Sequence, residues 1–334
     1  MDTNDWNARK LLELSGGYWA GCAAQAAVRL DVFTALADGP RDERELAEAL
    51  GCAPRSFSML ATALVALGLP RREGEKLVAP ERVAALLSRA SPDYLGFIIE
   101  HHAHLMPSWT RLAETVRAGH PGTVERVSRM GGDEERRAFL LGMFNIARLQ
   151  AEKVAHALDL SGKRTLIDVG GGPGTYAVHF CKRNPGLEAT IFDLPTTEPF
   201  ARKIVADHGL AGRIGFTGGD FLAGLLPKGQ DVAWLSQVLH GETPADAARL
   251  LKNAADCLNR GGLLCVQEFA LDDDRGGPPH AALFSLNMLV RTEGGQAYTV
   301  GEIVRMMRAA GALEVRALDV ELPNACRVLV GRMP

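Results

Sequence analysis

Apolar positions recur with a helical period through the first hundred residues, and the period changes near residue 160. The stretch "AAQAAVRLDVFTALAD" predicts a strongly apolar helix. "RDERELAEALG" predicts a helix opened by a capping box of Asp42 and Glu45 and closed at Gly51. "PRSFSMLATALVALGL" predicts another, with Pro54 in its first turn and Gly68 at its end. "LPRREGEKLVAP" then fits two short strands around Glu73-Gly74. Three helices followed by a hairpin is the element order of a winged helix. Residues 94–160 predict further helices in "YLGFIIEHHAHLMPSWTRLAETVRAG" and "EERRAFLLGMFNIARLQAEKVAHALDL", with a polar break around Gly131-Gly132. From Lys163 onward short apolar runs alternate with helical segments: "TLIDVG", "EATIFDL", "IGFTGGDF", "DVAWLSQVL", "LLCVQEFAL", "EVRALDV" and "CRVLVGRM". That alternation predicts an α/β, doubly wound, mainly parallel sheet. The last two runs lie close together and suit an antiparallel hairpin at one edge.

Composition narrows the possible partners. The chain has 334 residues, 47% hydrophobic and 23% charged, with a net charge of −3. A pI near 6.3 gives no electrostatic footprint for nucleic acid or an anionic membrane. A winged helix most often binds DNA through its third helix, yet Arg55 is the only charge on that helix here, so it reads as a packing helix. The six cysteines are scattered, with no CxxC, and read as free thiols of a reducing compartment. No apolar run reaches the length of a membrane span or a signal-peptide core. The expectation is a cytoplasmic protein with no nucleic-acid or membrane partner.

The chemistry concentrates at "LIDVGGGPGTYA", where Gly170, Gly171, Gly172 and Gly174 follow the first strand of the sheet. Ligands of α/β sheets bind at the carboxyl ends of strands. A dinucleotide fingerprint would need glycine at the sixth position from Gly170, and Thr175 stands there. No Gly-Lys-Ser/Thr follows, so the phosphate-loop pattern fails as well. Asp168 precedes the loop, Asp193 ends the second strand in "IFDLP", and Asp220 ends the third in "GGDF". Asp193 can accept both ribose hydroxyls of a nucleoside. Asp220 can take an adenine amino group, with Phe221 packing beside the ring. Leu194, next to Asp193, and Ser236, within the fourth strand, complete the candidate set with Gly170, Gly172 and Gly174. Three carboxylates and no cluster of cations suit adenosine joined to a positive group, as in S-adenosylmethionine.

"LIDVGGGPG", "IFDLP", "GDFL", "VLHGETPADAARLLKNAADCLNRGGLLCVQE" and "GGQAYTVGEIVRMMRAAGALEV" together resemble the class I methyltransferases of the small-molecule O-methyltransferase family, which includes caffeate and acetylserotonin O-methyltransferases and bacterial natural-product enzymes. The resemblance covers nearly the whole chain. It implies a Rossmann-like methyltransferase domain with an antiparallel edge, preceded by a mainly helical winged-helix domain used for homodimerisation. The corresponding division is 1–100 for the dimerisation domain, 101–160 for a helical linker with acceptor-pocket helices, and 161–334 for the S-adenosylmethionine-binding domain. It also implies a small aromatic or polyketide-like hydroxyl as the methyl acceptor.

His240 falls in the loop after the fourth strand, before a helix started by Thr243 and Pro244, and matches the family's base position. A phenol is a poor nucleophile at neutral pH until a base takes its proton, and a neutral imidazole can do that. Glu268, ending the fifth strand, matches a family glutamate that flanks and orients this histidine. Two departures stand out. Gly241 follows His240 where plant members have aspartate, and Gly294-Gly295-Gln296-Ala297 lacks a second family glutamate. They leave room for C- or N-methylation, or for a member that has lost methyl transfer. The resemblance places Met143, Phe144, Asn145, Phe284, Asn287, Met288, Trp109 and His104 around the acceptor. "HHAH" (His101, His102, His104) has no nearby cysteine or aspartate to complete a ligand set, so no metal is expected. A ligand-responsive winged-helix regulator and a nicotinamide oxidoreductase are the remaining alternatives. The apolar third helix weighs against the first, and the missing glycine against the second.

Overall fold

The computed structural model describes residues 6–122, 133–224 and 226–334. The polar break expected around Gly131-Gly132 lies outside them. The chain divides into two compact units between Leu105 and Met106.

In the first unit the elements run α1 (Ala8–Gly16), α2 (Tyr18–Arg29), α3 (Val32–Ala35), β1 (Arg41–Asp42), α4 (Glu43–Ala49), α5 (Pro54–Ala66), β2 (Arg71–Glu73), β3 (Lys76–Val78) and α6 (Glu81–Leu87). Asp42 caps α4 by accepting from the Arg44 and Glu45 amides, which are left unpaired at any helix start. Phe57, Ala61 and Leu64 recur at helical spacing on α5 and meet Phe33, Leu46 and Leu77 in this unit's core. The hairpin β2–β3 forms in the expected place, with Arg71 opposite Val78. Strand β1 pairs antiparallel with β3 and adds a third strand. Two residues are too few to show a strand period, which is why the sequence pattern does not reveal it.

α7 (Gly96–Trp109) and α8 (Leu112–Ala118) lead on to α9 (Asp133–Arg148) and α10 (Ala151–Ala157). There follow β4 (Thr165–Val169), α11 (Thr175–Arg183), β5 (Glu188–Asp193), α12 (Glu198–Asp207), β6 (Ile214–Gly218), β7 (Gln230–Ser236) and α13 (Pro244–Asp256). The chain continues through β8 (Leu258–Phe269), α14 (Pro279–Arg291), α15 (Val300–Ala309), β9 (Leu313–Ala317) and β10 (Cys326–Arg332). Among the described residues the large sheet has seven strands in the order β6-β5-β4-β7-β8-β10-β9. The first five are parallel, and β10 runs antiparallel between β8 and β9. The order reverses between β4 and β7, the switch point where an open α/β sheet offers a crevice.

Each sheet face has its own core. On one, Trp234 from β7 packs against Tyr176 and Phe180 of α11, at ring separations of 5.1 and 5.0 Å, with α10 supplying Ala151, Val154 and Ala155. On the other, Ile167, Leu235 and Val266 meet Leu250, Leu251 and Ala254 of α13 and Ile303 and Met307 of α15. These layers fix the strand ends, and the strand ends carry the site.

Gly174 is the N-cap of α11 and sits at φ +79°, where an added Cβ would lie 2.3 Å from Ile191 Cδ1. Left-handed backbone costs a non-glycine residue about 1–2 kcal/mol before any clash. Gly174→Ala is therefore expected to lower unfolding free energy by at least ~2 kcal/mol in a denaturant titration. An Ile191→Val background, which removes Cδ1, should return part of that loss; no recovery would contradict the assigned contact.

Candidate active site

Three glycines of the β4–α11 loop have positive φ: Gly170 at +67°, Gly172 at +53° and Gly174 at +79°. They serve different ends. A Cβ on Gly170 would meet Val238 at 2.8 Å, and one on Gly174 would meet Ile191, so both approach protein side chains. Gly172 faces open space, so its positive φ and not a close neighbour is what favours glycine there. Gly171 lies over Asp168, whose carboxyl carbon would be 2.6 Å from an added Cβ.

Asp168, at the end of β4, is 1% exposed, and neither oxygen makes a hydrogen bond of normal geometry. Burial pushes its carboxyl up to about 7, the Ala177 amide at the start of α11 pulls it partly back, and nearby Asp193 raises it further. A buried, unpartnered carboxyl needs a donor or a cation. Asp193, at the end of β5, is better supplied. Its Oδ2 accepts from the Gly172 amide at 2.7 Å, and its Oδ1 accepts from the Leu194 amide at 2.6 Å and the Thr197 hydroxyl at 3.0 Å. Burial still raises its pKa, against those three bonds. Thr197 is a member of this group that sequence reasoning missed; its spacing of four from Asp193 was the only signal. Asp220 follows β6 and accepts from the Leu222 amide at 2.9 Å. Phe221 comes within 3.6 Å of the Cβ position of Gly170, so its ring lies beside the loop. Ser236 ends β7 with its hydroxyl buried beside Tyr176 and without a hydrogen bond of normal geometry. Raised acidic groups, a bare glycine backbone and an adjacent aromatic ring fit a nucleoside carrying a cationic group.

On the next strands a different carboxylate is saturated. The Glu268 side chain is 2% exposed. Its Oε1 accepts from the amides of Val238 at 2.8 Å, Leu239 at 2.7 Å and His240 at 3.3 Å. Its Oε2 lies 2.6 Å from His240 Nδ1. An acceptor on Nδ1 assigns the proton to that nitrogen and leaves Nε2 free to take one. The His240 ring packs edge-on to Phe284 at 4.7 Å and stacks near Phe269 at 6.5 Å. The sequence reading had His240 supported by one carboxylate. The structure adds a backbone support: Gln296 N donates to the His240 carbonyl at 2.9 Å, and a Cβ on Gly295 would lie 2.4 Å from that oxygen. Gly295 is thus a close-approach glycine. Phe269 went unnoticed in the sequence because an aromatic at a buried strand end reads as core.

On α14, Phe284, Asn287 and Met288 fall on one face by helical spacing. Trp109 Nε1 donates to Asn287 Oδ1 at 3.0 Å. One turn further, Arg291 reaches Ser108 at 3.2 Å and Glu135 of α9 at 3.3 Å. Met143 and Phe144 on α9 are half-buried, and Asn145 is buried. His104 falls in the first unit, apart from these residues in the division of the chain. Among the described residues no group of three or more histidine, cysteine or acidic side chains is arranged to hold a metal. No single described helix is long and apolar enough to cross a membrane.

Comparison with known proteins agrees with this architecture. A family model for the O-methyltransferase domain matches residues 109–312, and one for the O-methyltransferase dimerisation domain matches residues 12–90. The chain is 36% identical over 325 residues to 3-hydroxy-5-methyl-1-naphthoate 3-O-methyltransferase of Streptomyces sahachiroi, covering 96% of this chain and 94% of that one. It is 34% identical over 329 residues to the tetracenomycin polyketide synthesis 8-O-methyl transferase TcmO of Streptomyces glaucescens, covering 97% and 96%. Among solved structures, PigF with SAH superposes with a TM-score of 0.90 at 27% identity, covering 98% of this chain and all of that one. With the glycine loop, the ordered acidic strand ends and both family domains in place, the chain belongs to the S-adenosylmethionine-dependent O-methyltransferase family.

Proposed function

We propose that this protein methylates a hydroxyl of a small aromatic or polyketide-like metabolite, with His240 as the general base. The observation that carries the reading is the 2.6 Å contact between His240 Nδ1 and Glu268, beside the aromatic pair Phe269 and Phe284. Bound S-adenosylmethionine supplies an electrophilic methyl group on a positively charged sulfur. The chain's own residues do the rest. Asp168 offers an unpaired buried carboxyl to the cationic end, Asp193 an acceptor to the ribose, and Asp220 with Phe221 a setting for the adenine. His240 Nε2 takes the acceptor's proton, while Glu268 holds the ring in the tautomer that makes this possible and stabilises the imidazolium that forms. Phe269, Phe284 and Met288 give a flat apolar wall that excludes water and suits an aromatic ring. The naphthoate and tetracenomycin enzymes named above, by their names, act on acceptors of this class.

Replacing His240 with Ala is expected to lower kcat by ~10²–10⁴-fold while S-adenosylhomocysteine affinity stays within about twofold. Glu268→Gln should cost ~10²-fold or more. An unchanged rate in His240→Ala would instead indicate transfer without base removal of a proton, as for an acidic acceptor or a carbon atom.

Cofactor affinity should depend on pH. Asp168 is raised to about 7, so a cationic ligand, which favours the ionised form, binds better as pH climbs from about 6 to about 8. Calorimetry at the acid end in buffers of different ionisation enthalpy should show proton release, and Asp168→Asn should abolish the slope. The sign for the ligand-free fold is opposite. A carboxyl raised on folding stabilises below its unfolded pKa near ~4, and that contribution fades as pH rises through about 7.

The dimerisation domain supports a homodimer. On α1 and α2, Leu12 and Trp19 are 74% and 69% exposed, an apolar surface expected to be covered by a second copy. Sedimentation should give a species of twice the 35.8 kDa chain, and Leu12→Glu with Trp19→Glu should shift it to monomer.

A further inference from the structure

A buried polar cluster lies between the cofactor loop and the base, and apart from Ser236, a candidate cofactor residue, neither uses it. Gln267 stands on β8 directly opposite Ser236 of β7, at the level where β4 gives way to Gly170. It is 0% exposed. Tyr176, from the first turn of α11, sits beside both Ser236 and Gln267. Cys326, which opens β10, sits beside Gln150, Gln237 and Gln267, and its sulfur accepts from Gln237 Nε2 at 3.2 Å. The polar atoms converge here: Gln150 Oε1, the Tyr176 and Ser236 hydroxyls, Gln237 Oε1, and both amide atoms of Gln267 are buried without a hydrogen bond of normal geometry, their contacts being with one another and with Cys326. Amides and hydroxyls that meet one another only loosely keep hydrogen-bonding capacity for one further oxygen.

The backbone shows the same investment. Gln237 takes a left-handed φ of +58°, which a side-chain-bearing residue adopts only when its surroundings hold it there. That turn sends its side chain to Cys326, while the next three amides go to Glu268. The cluster therefore ends three residues short of His240. On β8, Gln267 shares a face with Phe269, whose ring stacks near His240.

The charge of an occupant is constrained. Burial raises the Tyr176 phenol and pushes the Cys326 thiol up to about 12, so both stay uncharged. The Asp168 carboxyl lies close enough to act on Tyr176, which disfavours an anion. Three carboxamides and the Tyr176 hydroxyl offer both donors and acceptors, the match for a neutral carbonyl or hydroxyl oxygen.

We propose that Gln150, Gln237 and Gln267, with Tyr176, form a subsite for a neutral oxygen substituent of the acceptor, set beside the hydroxyl that is methylated. The proposal rests on the function read above. It adds that the enzyme selects acceptors carrying a second oxygen, and that ordered water holds the place before the acceptor arrives.

The test titrates 2-naphthol and a set of dihydroxynaphthalene isomers into the S-adenosylhomocysteine complex of the full chain by calorimetry. At least one isomer is expected to bind wild type ~10-fold or more tightly than 2-naphthol, as for a satisfied buried polar site. Gln267→Leu should reduce that preference to within about threefold while leaving S-adenosylhomocysteine affinity within about twofold. Tyr176→Phe, which removes one oxygen only, should show the same loss should Gln267→Leu fail to fold. No discrimination by wild type, or discrimination that survives both variants, overturns the proposal. A high-resolution structure of the S-adenosylhomocysteine complex separates the two sources: ordered oxygen at Gln267 and Tyr176 that a bound dihydroxynaphthalene hydroxyl displaces supports it. Oxygen that stays in place with the isomer bound, or a dry chamber, overturns it. Loss of S-adenosylhomocysteine binding by wild type would fail the functional reading itself, a distinct result.

Discussion

The His240 half of the candidate site depends on one buried carboxylate. Glu268 is removed from water and would be costly there on its own. Its four donors come from a single short stretch, three consecutive amides and the imidazole of His240. The carboxylate is thus satisfied only if the chain after β7 turns as it does, and the turn is satisfied only if the carboxylate is present. Each requires the other, so imidazole orientation and loop conformation are one structural fact. The left-handed Gln237 is the hinge that makes the turn, and Gly295 lets a second backbone segment press against its outer side.

Two acidic side chains on the same sheet edge have opposite surroundings. Asp168 on β4 has no normally formed hydrogen bond and is raised toward neutrality, whereas Glu268 on β8 has a full set of donors. The unsatisfied carboxyl is the one suited to the cationic ligand proposed above, and the saturated one is suited to holding an imidazole in one tautomer. The difference follows from what lies above each strand: a glycine-rich loop over β4, and a turn that aims three amides at β8.

The alternation of apolar runs and helices after residue 160 made the parallel sheet and its antiparallel edge legible, because strand and helix periods differ and the runs are long enough to show them. The hairpin around Glu73-Gly74 was legible for its turn residues, whereas β1 was invisible at two residues. In the site, Asp193 and Asp220 could be singled out because acidic residues at strand ends break an apolar pattern. The multiple bonding of Glu268 could not, because its donors are backbone amides 28 to 30 positions away that any residue type could supply. Gln267 was in plain view inside "LLCVQEFAL", a polar residue in a central strand. It went unremarked because its meaning depends on Gln150 and Cys326, which only the fold brings to it.

Strand β9 touches the sheet through β10 alone, and β10 is inserted between β9 and β8. The two are separated by a short connection, so their pairing is local, while the pairing of β10 with β8 spans far more chain. Cys326 opens β10, so the wall it gives to Gln267 is carried by the antiparallel hairpin and not by the parallel strands. A change that loosened this hairpin from β8 would open the interior of the site from the side away from the glycine loop.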